Sequence, residues 1–280
     1  MNDITDQGHL QRQLKIVGTR PLRPDGVDKV TGRAKFGADI HLPNMLIGKV
    51  LRSPHAHARI KSIDISKALA LPGVKAVVTA ADFEDQASEF IPAGEMMVNF
   101  RDMVRNIMAR EKALYEGHPV AAVAATSKSV AEEALRLIEV DYEVLPHVID
   151  VVDAMKEDAP VLHDHMITEG VKPAPTKPSN IAKRIDNLKG DVEAGFKQAE
   201  IVVERHYTTQ AVHQGYIEPH ATLASAAEDG QVQLWSTTQG HFQVRGFCSR
   251  LLNIETSQIR VTPTEIGGGF GGKTVVYLEP

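Results

Sequence analysis

The segment EIGGGFGGKT, from Glu265 to Thr274, fits two glycine-rich patterns at once. Residues 267–274 match the phosphate-loop pattern G-x-x-x-x-G-K-[ST], and residues 267–272 match the dinucleotide fingerprint G-x-G-x-x-G. Five of the six residues from 267 to 272 are glycine. Because each glycine costs folding entropy, such a run indicates close approach of a ligand or of another backbone segment, rather than a merely flexible turn.

The sequence around the loop argues against both nucleotide patterns. A phosphate loop is delivered by a central strand and followed by a helix whose N-terminus binds phosphate. Here the entering strand contains Pro263, and the six residues after Thr274, VVYLEP, begin with β-branched and aromatic residues and run into Pro280. The dinucleotide pattern also needs an acidic residue about 20 positions further on. We therefore expect the loop to serve another purpose.

Composition indicates an ordinary globular protein. The 280 residues are 42% hydrophobic and 24% charged, and the formal charge of -5 gives no reason to expect a nucleic-acid partner. The polar N-terminus lacks the apolar core of a signal peptide, and no apolar run of about 18 residues predicts a membrane span. The single cysteine, Cys248, excludes an iron–sulfur site built from this sequence alone. A reducing, cytoplasmic location is the simplest prediction.

The first half of the chain predicts an α+β domain over residues 16–154, preceded by a polar arm over residues 1–15. Short apolar runs bounded by turn residues predict strands at Leu46–Ser53, Val74–Phe83, Val120–Thr126 and Glu139–Leu145. A short helix is predicted at Ser66–Gly73 and a longer one at Ser129–Ile138, where Ser129 and Glu132 have the spacing of a capping box. The strand–helix–strand order favours helices packed on a sheet.

A proline-rich stretch, residues 155–190, predicts an extended connector to a second unit at residues 191–280. Asp191 is placed to cap a short helix. Strands are predicted at Ile201–Gln210, Thr222–Ala227 and Gln231–Ser236. A helix is predicted over residues 241–253, with Phe242, Phe247 and Leu251 on or near one face.

Three motifs follow one another in the second unit: GYIEPHA (Gly215–Ala221), LWSTTQGHFQVR (Leu234–Arg245) and IRVTPTEIGGGFGGK (Ile259–Lys273). This ordered series resembles the molybdenum-cofactor domain of the xanthine dehydrogenase/aldehyde oxidase family, the molybdenum hydroxylases. In the first unit, VTGRAKFGADI, LRSPHAHARI, LPGVKAVVTAADF and YEGHPVAAVAA resemble that family's a/b hammerhead domain. The resemblance covers residues 16–280. It implies an α+β chain with a hammerhead domain followed by the first part of a molybdopterin-binding domain.

The resemblance also implies which residues meet the cofactor. It places the side-chain amide of Gln239 near an oxo ligand of molybdenum, with no residue of this chain as a direct metal ligand. The implied cofactor-binding residues are Gln239, Gly240, Gly268, Gly269, Phe270 and Gly271. Backbone amides in a glycine-rich loop suit an anionic, oxygen-rich metal centre because no side chain blocks their approach. Phe270 is expected to wall the site and exclude water.

The family's reaction hydroxylates an aldehyde or an aromatic N-heterocycle with oxygen derived from water. Its general-base glutamate is expected beyond Pro280, so this chain alone is predicted to be inactive. The resemblance implies a molybdenum pyranopterin, as such or in its cytosine dinucleotide form. It also implies three partners: the remaining half of the molybdenum subunit, an iron–sulfur subunit and an FAD subunit. Thr274 stands where purine-oxidising relatives have glutamate, which argues against a purine substrate.

Two other functions stay open at this point: a non-catalytic assembly or binding module that retained the fold, and a nucleotide hydrolase using the glycine loop. Lys273 either reaches a cofactor phosphate or is a solvated lysine. Glu218-Pro219-His220 either lines the cofactor cleft or forms a structural turn. Two histidine pairs, His55/His57 and His163/His165, are interpreted as surface or interface residues because no third ligand stands at supporting spacing. Cys248 is expected in the core.

Overall fold

The structure is a computed structural model that describes residues 15–93 and 96–280. The predicted N-terminal arm lies outside the described residues, apart from Lys15. The strands are β1 Ile47–Arg52, β2 Ala58–Asp64, β3 Val74–Thr79, β4 Phe90–Ala93, β5 Met96–Asn99, β6 Lys112–Ala113, β7 Pro119–Ala125, β8 Glu139–Val144, β9 Thr222–Ala226, β10 Val232–Ser236 and β11 Ile259–Pro263. The helices are α1 Gly26–Val30, α2 Ser66–Ala70, α3 Phe100–Ile107, α4 Lys128–Leu137, α5 Val151–Ala154, α6 Val192–Gln198 and α7 His241–Leu252.

Two antiparallel sheets organise the first unit. One has the order β1-β7-β3, the other the order β6-β2-β8, and β4 pairs with β5 in a separate hairpin. Helices α2 and α4 cover the first sheet, and the contact is built largely from buried alanines such as Ala121, Ala125, Ala131 and Ala134. Small side chains let a helix backbone lie close to a sheet. This explains why an alanine-rich strand and an alanine-rich helix form a tight core.

The sheet of the second unit has the order β11-β10-β9. Strands β10 and β11 are parallel and are joined through α7, whereas β9 pairs with β10 in the antiparallel sense. Pro263 is the last residue of the edge strand β11, where a missing N–H costs no ladder hydrogen bond. The β10–α7–β11 crossover brings the segment after β10 and the glycine loop after β11 to the same end of the sheet.

One hydrophobic core joins the two units. It combines Phe100 and Val104 of α3 with Leu234, Val244, Phe247 and Ile259 of the second unit. The rings of Phe100 and Phe247 are stacked with 6.4 Å between centroids. The α3 region therefore packs on the second unit as well as belonging to the first.

Two sequence predictions are wrong in detail here. The segment Ile201–Gln210, predicted as a strand, is irregular, and no backbone hydrogen bond links it to another described segment. Alternating apolar and polar residues allow a segment to pair in a sheet but do not supply its partner strand. Helix α4 begins at Lys128, and its cap is Ser127, whose Oγ accepts from Val130 N at 3.3 Å, not Ser129.

Helix α7 forms nearly where predicted, but Phe242 does not face the core. The buried residues of α7 are Val244, Phe247 and Cys248, and Phe242 is 74% exposed. Phe242 lies five residues before Phe247, which rotates it roughly 140° around the helix. Asp191, by contrast, caps α6 as predicted, accepting from Ala194 N at 2.9 Å. No helix within residues 15–93 and 96–280 has the length and apolarity to cross a membrane.

Candidate functional site

The glycine loop, residues 267–273, leaves the end of β11 and folds back on itself. Gly272 N donates to Gly269 O at 2.7 Å, and Thr274 Oγ1 donates to Gly271 O at 2.7 Å. Gly268, Phe270 and Gly271 all have positive φ values, of 99°, 48° and 89°. A non-glycine residue in the left-handed region is uncommon, so Phe270 holds a conformation that the surrounding turn imposes.

Gln239 joins the segment after β10 to this loop. Its Oε1 accepts hydrogen bonds from Gly271 N and from Lys273 N, each at 3.1 Å. Two backbone donors on one side-chain oxygen determine which end of the amide is oxygen. The amide nitrogen, Nε2, has no hydrogen-bond acceptor within the part of the chain that the structure describes. Gln239 therefore presents an available donor beside the loop.

Close contacts explain several of the glycines. A Cβ on Gly269 would lie 2.6 Å from Gln239 Oε1, and a Cβ on Gly272 would lie 2.6 Å from Cε1 of Tyr216. A Cβ on Gly267 would lie 2.8 Å from the Cβ of Glu218. Each distance is far below a normal contact between heavy atoms. The glycines are thus required by packing on both sides, which rules out a merely flexible turn.

Three consecutive backbone N–H groups of the loop are available as donors. Those of Gly268, Gly269 and Phe270 have no partner among the described residues, whereas the N–H of Gly271 is already engaged by Gln239. Consecutive unpaired amides form a concavity that favours anions. Gly240, the N-cap of α7, lies next to Gln239, so the positive end of that helix is at the same site.

Lys273 is neither solvated nor a free cation. It is 1% exposed, and its Nζ lies 2.7 Å from Glu218 Oε2. The same carboxylate oxygen accepts from Gly267 N at 2.7 Å. Glu218 is therefore more than part of a turn, since it braces the loop. A phosphate loop needs a free lysine and a following helix; Lys273 is paired and residues 271–274 form turns.

Aromatic side chains lie on one side of the loop. The ring of Tyr216 packs against Gly272, its Cβ lies next to Gly268, and its hydroxyl lies 2.9 Å from His220 Nε2. Burial lowers the pKa of His220, which favours its neutral form. Phe270 is 73% exposed, so its ring excludes no water within the described chain.

Sequence reasoning missed two residues of this site, Tyr216 and Thr238. Thr238 Oγ1 accepts from Gly240 N at 3.0 Å and lies 3.3 Å from Lys273 O, to which it donates. Their only signal in the sequence was membership of the GYIEPHA and LWSTTQGHFQVR motifs. Nothing in either motif states which side chains point toward the loop.

The remaining candidates lie away from this site. His57 is buried, with Nδ1 2.6 Å from Pro146 O, and His165 Nε2 lies 2.8 Å from Asp102 Oδ1. Among the described residues, no three His, Cys, Asp or Glu side chains are arranged to hold a metal ion. Cys248 is in the core as predicted, and burial raises its pKa to about 11.

The crossover from β10 through α7 to β11, with glutamine after one strand and a glycine loop after the other, forms an α+β unit that follows an antiparallel domain in the chain. Two family models match the chain in that order. Residues 31–146 match the a/b hammerhead domain of aldehyde oxidase and xanthine dehydrogenase, and residues 173–280 match the molybdopterin cofactor-binding domain. The chain belongs to the aldehyde oxidase and xanthine dehydrogenase family, the molybdenum hydroxylases.

Individual relatives agree with this assignment. The chain is 36% identical to the carbon monoxide dehydrogenase large chain of Afipia carboxidovorans, over 95% of this chain and 32% of that protein. It is 33% identical to the nicotinate dehydrogenase large molybdopterin subunit of Eubacterium barkeri, over 96% of this chain and 58% of that protein. The crystal structure of quinoline 2-oxidoreductase from Pseudomonas putida 86 superposes with a TM-score of 0.78 at 30% identity, covering 94% of this chain and 32% of that one. The chain thus spans about a third of the length of most of these relatives.

Proposed function

We propose that this chain supplies the backbone donor surface of a molybdopterin site in a molybdenum-dependent hydroxylase. Gln239, Gly240 and the loop residues Gly268, Gly269, Phe270 and Gly271 would hold the group. One observation carries the proposal: three consecutive unpaired amides, at residues 268–270, lie beside an oriented glutamine amide whose nitrogen is unused. These donors fit an anionic, oxygen-rich group, and the missing Cβ atoms let the loop pack closely against Gln239 and Tyr216.

When bound, a molybdenum pyranopterin, as such or as its cytosine dinucleotide, supplies the two-electron chemistry of the reaction. The protein side of the site orients that group. Gln239 Nε2 donates toward the group while Oε1 stays bonded to the loop, and the amides of residues 268–270 add donors whose positions are set before binding. The substrate class is an aldehyde or an aromatic N-heterocycle, and the oxygen comes from water.

The proposed function extends to partners. Several relatives are named as large chains or subunits of multi-component enzymes, among them the carbon monoxide and nicotinate dehydrogenases. A single cysteine, buried in the core, leaves this chain without ligands for an iron–sulfur cluster. We therefore assign electron transfer to separate iron–sulfur and FAD subunits. We also assign the general base to a part of the molybdenum subunit outside residues 1–280.

Two substitutions of Gln239 test the donor role. Gln239→Glu keeps an oxygen that accepts from Gly271 and Lys273 but replaces the amide donor with a second acceptor. We expect substrate turnover of the assembled enzyme to fall about 100-fold or more, which is the effect of removing one preorganised hydrogen-bond donor from the active site of other enzymes. Gln239→Leu removes both the donor and the loop contact, and should also lower the molybdenum and pterin content.

Metal analysis and pterin fluorescence of the assembled protein decide between the proposed function and the binding module. Molybdenum and pterin should be present in the unsubstituted assembly. If neither is present after expression with an adequate molybdenum supply, the non-catalytic module becomes the better account. A Gln239→Glu enzyme that is fully loaded and fully active would show that the amide nitrogen is not used.

A further inference from the structure

One carboxylate oxygen ties together the two ends of the glycine loop. Glu218 Oε2 accepts from the backbone N–H of Gly267, the first residue of the loop, at 2.7 Å. It also accepts from Nζ of Lys273, the last residue of the loop, at 2.7 Å. Glu218 itself comes from the segment before β9, about 50 residues earlier in the chain. The loop is therefore closed by a contact from outside it.

This contact is buried and charged. The side chain of Lys273 is 0% exposed and that of Glu218 is 10% exposed. The ammonium group also lies over the ring of Tyr216, whose centroid is 5.0 Å from Nζ. Replacing a buried ion pair by apolar residues is often neutral, so the pair is weak evidence for stability alone; buried pairs are best attested where they specify one arrangement.

The backbone of Lys273 carries this arrangement to Gln239. Lys273 N donates to Gln239 Oε1 at 3.1 Å, and Gln239 N donates to Lys273 O at 2.9 Å. These reciprocal bonds mean that a shift of Lys273 displaces the glutamine amide. A loop released at residue 273 would also change the direction of the unpaired amides at residues 268–270.

We propose that Glu218 and Lys273 form a positioning pair, which holds the Gln239 amide and the loop amides ready for the cofactor without Lys273 touching it. The inference rests on the proposed function of the loop as a molybdopterin-binding surface. It assigns the lysine of the G-x-x-x-x-G-K-[ST] match to an internal ion pair, not to a phosphate.

A double-variant experiment in the assembled enzyme tests the proposal. Lys273→Met and Glu218→Gln each leave one buried charge without its partner. Each should lower cofactor occupancy by about 10- to 100-fold, the usual effect of losing an outer support of a metal site. The combined variant, Glu218→Gln with Lys273→Met, leaves no unpaired charge, and the new amide oxygen still accepts from Gly267 N. It should regain most of the lost occupancy.

The double variant separates a positioning lysine from a ligand. If Lys273 contacted an anionic cofactor, the combined variant would load no better than Lys273→Met, and that result overturns the proposal. Lys67→Met is the matched control, because Lys67 also pairs with a glutamate, Glu139, but on the exposed surface. Its occupancy should equal that of the unsubstituted enzyme.

Amide hydrogen exchange adds a readout that needs no cofactor. Lys273→Met should speed hydrogen exchange at the N–H of Gly267, which is bonded to Glu218, and at the N–H groups of residues 271 and 273, which are bonded to Gln239. The combined variant should restore their protection. Unchanged exchange in both single variants overturns the positioning role even where the cofactor is absent. An unsubstituted assembly without molybdenum or pterin would count against the proposed function, and exchange would still decide the inference.

Discussion

At the scale of single residues, the site depends on glycine having no Cβ atom. Gly269 has no positive φ in this structure, so its requirement is steric and not conformational. The nearest obstacle to a Cβ is the amide of Gln239, which is itself held by two backbone bonds and has little freedom to move. A methyl group added at residue 269 would therefore displace the Gln239 side-chain amide, the main donor in the proposed function.

Gly269→Ala should displace the Gln239 amide. We expect cofactor occupancy of the assembled enzyme to fall by about 10-fold or more, and the free energy of unfolding to fall by about 1–3 kcal/mol because the contact is overpacked. Metal analysis and a denaturant titration measure the two effects. The control is Gly246→Ala in the interior of α7, where a Cβ meets nothing within 4 Å. That change should stabilise by about 1 kcal/mol; equal loading of both variants would contradict the steric argument.

At the scale of elements, helix α4 shows how a sequence pattern can identify a helix but miss its cap. Ser127 and Ser129 both precede the apolar residues, and their hydroxyl oxygens lie 3.1 Å apart. Only Ser127 has the extended backbone of an N-cap, with φ −151° and ψ 161°. The capping-box spacing of Ser129 and Glu132 is therefore a coincidence of composition.

Two serine substitutions distinguish these positions. Ser127→Ala should lower the free energy of unfolding by about 1 kcal/mol, since Val130 N loses its acceptor. Ser129→Ala should change it by less than about 0.5 kcal/mol. Urea titration followed by circular dichroism measures both. A larger loss for Ser129→Ala than for Ser127→Ala would restore the capping box that the sequence predicts.

Helix α7 offers a matched pair of phenylalanines. Phe247 is 5% exposed and stacks on Phe100, whereas Phe242 is 74% exposed. Phe247→Ala should cost about 3–5 kcal/mol, from lost burial and the cavity left behind. Phe242→Ala should cost less than about 0.5 kcal/mol in this chain. Thermal unfolding provides the measurement, and similar losses for the two variants would mean that α7 is rotated relative to the structure described.

At the scale of the whole molecule, burial couples stability to pH through His118. This side chain is 0% exposed; Nδ1 accepts from Leu114 N at 3.1 Å and Nε2 donates to Arg105 O at 2.9 Å. Such a ring is neutral, and burial lowers the pKa of His118 to about 4. In the unfolded chain the same group titrates near 6.5.

Stability should therefore fall in acid. Between pH 6.5 and pH 4 the unfolded state binds the His118 proton and the folded state does not, so lowering the pH favours unfolding. The contribution is fully present above pH 6.5, and about 3 kcal/mol is lost by pH 4, on the order of the shift in pKa. Denaturant titrations across this range measure it. His118→Gln should flatten the dependence; an unchanged slope in that variant would assign the effect to other groups.

The whole-molecule scale also explains where sequence reasoning ended. Local sequence patterns predicted the α+β class and several elements, because each pattern involves residues that are neighbours along the chain. These elements are helices α4, α6 and α7 and strands β9 and β10. The segment at residues 201–210 has the alternation of a strand but remains irregular here. A strand is completed by hydrogen bonds to another strand, and alternation carries no information about where that partner is.

Local order along the chain was enough to define the family, since three motifs in series and a glycine-dense loop are properties of neighbouring residues. The tertiary structure alone decided the role of Lys273, because its carboxylate partner is 55 positions away. It alone oriented the Gln239 amide, because the donors that hold the oxygen are 32 and 34 positions further along. Contacts at such separations form only when β10, β11 and the segment before β9 converge. Lys273, whose charge is typical of a solvated side chain, is buried because these segments converge on it.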